Sequence, residues 1–183
     1  MMRNGSLAAL LFALGSLVSA SGAEAQERRG TWSGYVWKSP DLGQPTPPIT
    51  FTAVRAKWTQ PSVFCTKPNA RVSFWVGLDN STVEQAGTVA VCGDAAAPLY
   101  YKAFWEMYAG ADSDGGEPFT VSPGDVIEAL VGYTNGSYVL QLNDLTNGRS
   151  FSTIKACSRT VVCKNATAEW IERVSPDGRS GEI

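Results

Sequence analysis

Arg71-Val72-Ser73-Phe74-Trp75-Val76-Gly77-Leu78-Asp79 alternates: Val72, Phe74, Val76 and Leu78 fall on one side, and Ser73, Trp75 and Asp79 on the other. Successive side chains of an extended backbone point in opposite directions, so a period of two marks a strand with one buried face. The same rhythm recurs on both sides of this segment, over residues 32–38, 50–58, 82–91, 99–108, 126–134, 137–145, 149–155 and 167–174. Turn signals separate these runs: the Pro-rich stretch 40–48, Pro68-Asn69, residues 112–118, Ser122-Pro123-Gly124-Asp125, and the pairs Asn135-Gly136 and Asn147-Gly148. Asn-Gly suits a tight hairpin because both residues tolerate positive φ. No run has a helical period. The expectation is an all-β chain, an antiparallel β-sandwich or jelly roll.

Composition agrees with one turn-rich domain: of 183 residues, 44% are hydrophobic and 17% charged, with 18 Gly and 10 Pro. Fifteen Lys and Arg against 17 Asp and Glu leave a net charge of -2, so no general attraction to nucleic acid or to an anionic membrane is expected. Histidine is absent, which removes Ser-His-Asp and Cys-His nucleophile systems and imidazole-based zinc sites. Catalysis would have to use carboxylates, amides, hydroxyls or thiols, with no metal or cofactor. The N-terminus combines Arg3, an apolar run at 7–14 and small residues ending in Ala23-Glu24-Ala25. It reads as a secretory signal peptide over residues 1–25, too short in its apolar part to span a bilayer. The expected product is a secreted, monomeric single domain, residues 26–183. Export makes disulfides the default for Cys65, Cys92, Cys157 and Cys163. Four cysteines permit three pairings, and sequence alone does not choose among them. Cys65 with Cys92 and Cys157 with Cys163 are favoured, since each pair flanks a turn-rich segment between strand-like runs. A four-thiolate zinc site is the alternative, although the paired CxxC knuckles are lacking.

Trp75 and Asp79 share the face opposite an aliphatic one; Phe104, Glu106 and Tyr108 likewise share a face opposite Ala103, Trp105 and Met107. Such a face is either a solvated surface or a ligand groove. The order of five motifs favours the groove: Thr31-Trp32-Ser33-Gly34-Tyr35, Ser73-Phe74-Trp75-Val76-Gly77-Leu78-Asp79, Thr82-Val83-Glu84-Gln85-Ala86-Gly87-Thr88, residues 100–108, and Ala168-Glu169-Trp170-Ile171-Glu172. In this order and spacing they resemble the glutamic peptidases, or eqolisins, over nearly all of the chain after residue 25. Ser122-Pro123-Gly124-Asp125 and the segment 143–148 are similar to a turn and a hairpin of that family. The resemblance implies two bent antiparallel sheets, a concanavalin-like sandwich, with an extended polypeptide substrate on the concave face and no cofactor. It implies a secreted acid endopeptidase that hydrolyses peptide bonds with an activated water and a catalytic Gln and Glu, carried here by Gln85 and Glu172, and substrate-binding roles for Trp32, Trp75, Asp79, Phe104 and Glu106. Phe104 stands where the family usually has Trp, which keeps a flat apolar wall without the indole donor.

The last motif departs from the family pattern Ala-Glu-Trp-Ile-x-Glu by one residue, because Glu172 directly follows Ile171. In an unbulged strand Glu169, Ile171 and Arg173 point one way and Trp170, Glu172 and Val174 the other. The expectation is a β-bulge within 167–171 that turns Glu172 toward Gln85. At the family spacing the catalytic position holds Arg173; without a bulge Arg173 faces the groove, the base is lost, and the alternative is a non-catalytic extracellular module that binds peptide or glycan. The chemistry of a Gln/Glu pair is simple. A carboxylate of pKa ~4.3 accepts a proton from the attacking water and returns it to the leaving amine. A fixed amide N–H stabilises the oxyanion by roughly 3 kcal/mol.

Overall fold

The computed structural model describes residues 27–29, 31–39, 49–79, 82–94, 98–108, 114–157 and 163–175. The described residues form strands β1 (Glu27–Arg29), β2 (Trp32–Lys38), β3 (Ala53–Thr59), β4 (Arg71–Leu78), β5 (Glu84–Val91), β6 (Tyr100–Met107), β7 (Asp114–Gly116), β8 (Val126–Thr134), β9 (Ser137–Asp144), β10 (Arg149–Ala156) and β11 (Thr167–Ser175). They make two antiparallel sheets, a seven-stranded one in the order β1-β2-β11-β4-β5-β6-β7 and a four-stranded one in the order β10-β9-β8-β3. The sandwich expected from the alternating runs is borne out. Residues 1–25, read as a signal peptide, the stretch 40–48, read as a turn segment, and the residues after 175 lie outside the described residues.

The core forms where the apolar faces of the two sheets meet. Val76, Leu78, Ala86 and Met107 of the larger sheet pack with Ile127, Val131, Leu140 and Leu142 of the smaller, and each of these is at most 1% exposed. Hairpin chemistry sets the smaller sheet. Asn135 and Gly136 take positive φ (50° and 78°), which closes β8 onto β9 without splaying the strands. Asn147 acts differently: its amide donates to Asp144 and to Asp125, both at 2.9 Å, and its backbone N–H also reaches Asp144. This cluster, completed by Arg149, pins the turn between β9 and β10. Both favoured disulfides are present, Cys65–Cys92 and Cys157–Cys163.

Two strands fall outside the alternating runs. β7 lies in a Gly-rich stretch read as a turn, and β1 just ahead of what was expected to be the first strand. Each is three residues long, too short for alternation to be visible. β5 also begins at Glu84 rather than at residue 82, because the Thr82 and Val83 N–H groups both turn back to the Asp79 carbonyl (3.1 and 2.9 Å).

Candidate active site

Strand pairing brings one row of residues across the larger sheet: Val36, Glu169, Gly77, Gln85, Glu106 and Gly115. Residues directly opposite one another in antiparallel strands project to the same face. Their sequence neighbours Leu78, Ala86 and Met107 enter the core, so the row lies on the face turned away from the smaller sheet. Glu169 on β11 and Gln85 on β5 flank β4, two inter-strand spacings or about 9.6 Å apart at the backbone. Between them stands Gly77, which contributes no side chain. A Cβ built there would sit 3.6 Å from Gln85 Cβ and 3.7 Å from Glu169 Oε2, so both side chains border the same notch.

Each side chain has its own orienting partner. Gln85 Nε2 donates to Glu106 Oε2 at 2.7 Å, which fixes the amide and leaves its second N–H for another acceptor. Glu169 Oε1 accepts from the Thr167 hydroxyl at 2.9 Å. Burial pushes the Glu169 carboxyl above its ordinary range; the Thr167 hydrogen bond opposes this, the charge of Asp79 adds to it, and Lys38 opposes it again.

The next row along the strands is Gly34, Ile171, Trp75, Gly87 and Phe104. Trp75 and Ile171 are only 5% and 7% exposed although they face away from the core, so this face is sheltered. The indole N–H of Trp75 is buried without an acceptor. Gly87 is enforced by space, since a Cβ there would come within 2.0 Å of the Phe74 carbonyl oxygen. A third row holds Trp32, Arg173, Ser73, Val89 and Lys102. Thus Gln85, Glu106, Trp75, Phe104 and Trp32 share one face, as the motifs implied.

Asp79 and Glu172 do not fit that expectation. Asp79 leaves β4 with φ of 59°, and its Oδ2 accepts the N–H groups of Lys164 (2.7 Å) and Asn165 (3.0 Å). Its carboxylate ties the segment before β11 to the end of β4 and acts on Glu169 through charge. Glu172 pairs with Ser33 and Phe74 and is exposed on the opposite face from Gln85. The expected bulge is absent: pairing of β11 with β4 is continuous from Ala168 to Ser175. Arg173 therefore faces the sheltered side, and Glu169 stands across from Gln85. Parity alone already put Glu169, Ile171 and Arg173 together; alignment of Glu169 with Gln85 appears only once β4 is known to run between their strands.

The model of the peptidase A4 family matches residues 30–180. The chain belongs to the peptidase A4 family. Among solved structures, scytalido-glutamic peptidase with a peptide-based transition state analog is similar at a TM-score of 0.62 and 26% identity, covering 78% of this chain. The same peptidase with a transition state analog inhibitor gives a TM-score of 0.63 at 26% identity. SCP-B, an eqolisin in complex with the tripeptide Ala-Ile-His, is similar in fold at a TM-score of 0.59 and 23% identity. The chain spans 64% of scytalido-glutamic peptidase and 63% of SCP-B. No curated protein sequence matches it. The resemblance carried by the five motifs is borne out, and the peptidase A4 sandwich is the frame in which the Glu169–Gly77–Gln85 row sits.

Proposed function

We propose that this chain is a secreted glutamic-type endopeptidase that hydrolyses extended polypeptides with water held between Glu169 and Gln85. What carries the reading is the notch over Gly77, bordered by Gln85 Cβ and Glu169 Oε2 on a sheltered face of the family fold. A peptide laid on this face can bring a carbonyl over bare backbone, where no side chain holds it away. Glu169 in its ionised form takes the proton of the attacking water and delivers it to the departing nitrogen. Its raised pKa makes it a stronger base than an exposed glutamate and keeps it protonated up to a higher pH. The Gln85 N–H that Glu106 leaves unused donates to the oxyanion, a contribution of roughly 3 kcal/mol. Phe104 and Trp32 offer flat apolar surface to the flanking residues of the substrate. The peptide ligands of the similar peptidases support a polypeptide substrate. Two disulfides suit an oxidising compartment, in keeping with export by residues 1–25.

The test is digestion of reduced, alkylated protein between about pH 3 and 8 by the wild type and by Glu169→Gln. Cleavage by the first and none by the second is expected. Undiminished cleavage by Glu169→Gln removes Glu169 from the mechanism, and cleavage by neither overturns the peptidase reading.

A further inference from the structure

Arg173 occupies the sheltered face four residues along β11 from Glu169, about 13 Å at strand rise. Its cross-strand neighbours are Trp32 and Ser73, and Ile171 precedes it on the same face. None of these carries negative charge. The Arg173 Nε is buried with no hydrogen-bond partner. A buried donor on a charged group without an acceptor is costly, and Nε with one Nη forms the planar fork that fits a carboxylate. Other described cations on this face differ: Lys102 is paired with Glu117, Lys38 lies beside Glu169 and acts on it through charge, and Arg71, one row further out, is exposed. At the opposite end stand Glu169 and Glu106, with Asp79 close by. Along β11 the face thus carries the Glu169 carboxyl at the notch and the Arg173 guanidinium two rows further on.

We infer that Arg173 is a specificity-determining residue that binds a carboxylate of the substrate, on one side only of the bond to be cut. The inference rests on the peptidase reading and names the substrate class that site prefers. At ~3.4 Å per extended residue the carboxylate lies about two to four residues from the scissile bond, once the reach of the two side chains is allowed for. It comes from an Asp or Glu side chain or from the C-terminus of a short peptide. A carboxylate placed at the notch itself would meet Glu169 and Glu106 and be repelled.

The experiment uses fluorescence-quenched nonapeptides that differ only in Asp or Asn at each position in turn, each made with a free or an amidated C-terminus. Cleavage is followed at pH 5.5 and 3, and binding by anisotropy of labelled versions at pH 6. At pH 5.5 the wild type should favour Asp over Asn by about tenfold in kcat/KM at positions on one side of the cleaved bond. The preference should fade at pH 3, where Asp gains its proton. A preference confined to the free-acid series identifies the terminal carboxylate as the ligand; one that survives amidation identifies a side chain. Arg173→Gln should bring the ratio to about one, and Arg173→Glu should reverse it; cleavage of uncharged peptides by both variants confirms an intact fold. Equal Kd for Asp and Asn peptides in the wild type overturns the proposal, as does an unchanged preference in Arg173→Gln. If no peptide is cleaved but the Asp preference in Kd persists and vanishes in Arg173→Gln, the carboxylate site stands and the peptidase reading falls.

Discussion

Glu84 starts β5 one residue before Gln85, and its side chain enters the core, fully buried. The Thr82 hydroxyl donates to Oε2 at 2.7 Å, and Oε1 has no partner. Burial raises its pKa from 4.5 to about 8, opposed by the Thr82 hydrogen bond and reinforced by the charge of Asp79. Because the folded value lies above the unfolded one, stability from this group is fully present below about pH 4.5 and is lost as pH rises toward 8. Every pH step of one between those two values removes about 1.4 kcal/mol, so the loss by pH 8 is on the order of 4 kcal/mol. Glu84→Gln keeps the shape of the neutral acid and cannot ionise, so it should remove this slope. At pH 8 the variant should be the more stable protein, with a Tm higher by roughly 10 °C at ~2–4 °C per kcal/mol for a domain of this size. Near pH 4.5 the two should be alike. Urea unfolding followed by tryptophan fluorescence at pH 4.5, 6 and 8 measures it. Parallel pH profiles for wild type and Glu84→Gln would refute the reasoning.

Glu169→Gln should lower kcat by about a thousandfold or more while leaving the urea midpoint at mildly acidic pH unchanged, since the amide mimics a carboxyl whose pKa is already raised. Gln85→Ala should cost about 10²–10³ in kcat, and Gln85→Glu more, because a carboxylate would face both the oxyanion and Glu106; steady-state kinetics on one peptide decide both. Removing Cys65–Cys92, with its separation of 27 residues, should cost about 3.5 kcal/mol, against about 2 for Cys157–Cys163 with its separation of 6, as read from the urea midpoints of the two double Cys→Ser variants. Gly87→Ala should destabilise by several kcal/mol, because the new methyl would collide with backbone at Phe74 rather than with a side chain that can move; wild-type stability would show that β4 and β5 separate with ease.

The sandwich was legible where a strand has one face in the core: burial alternates with a period of two over seven residues or more along β3, β6, β8 and β9. β1 and β7 were not, being edge strands of three residues, too short to leave a pattern. Within the site, Gln85, Trp75, Phe104, Glu106 and Trp32 were readable from motif order and parity. Asp79 was misread because its positive φ ends the alternation one residue early and turns the carboxylate to the backbone of Lys164 and Asn165. Glu172 was misread by counting back from the end of a motif, whereas an unbroken register from Ala168 to Ser175 makes Glu169 the acid beside β4. Which acid meets Gln85 depends on which strand lies between them, and β11 reaches β4 across about ninety residues of chain.

The bare position at Gly77 gives the protein an asymmetric exposure to change. Glycine is the smallest residue, so every substitution there adds atoms and none can restore the gap by subtraction. An added Cβ meets the Glu84 carbonyl oxygen at 3.2 Å and the two flanking side chains at 3.6 and 3.7 Å, a crowding the sheet can absorb with small shifts. The core lies on the other face of β4, and both disulfides attach elsewhere. A single nucleotide change at this codon can thus plug the space between Glu169 and Gln85 while the molecule still folds and oxidises its thiols. On the proposed mechanism, descendants of such an event would be inert copies with every other motif residue in place, and position 77 is where they would differ.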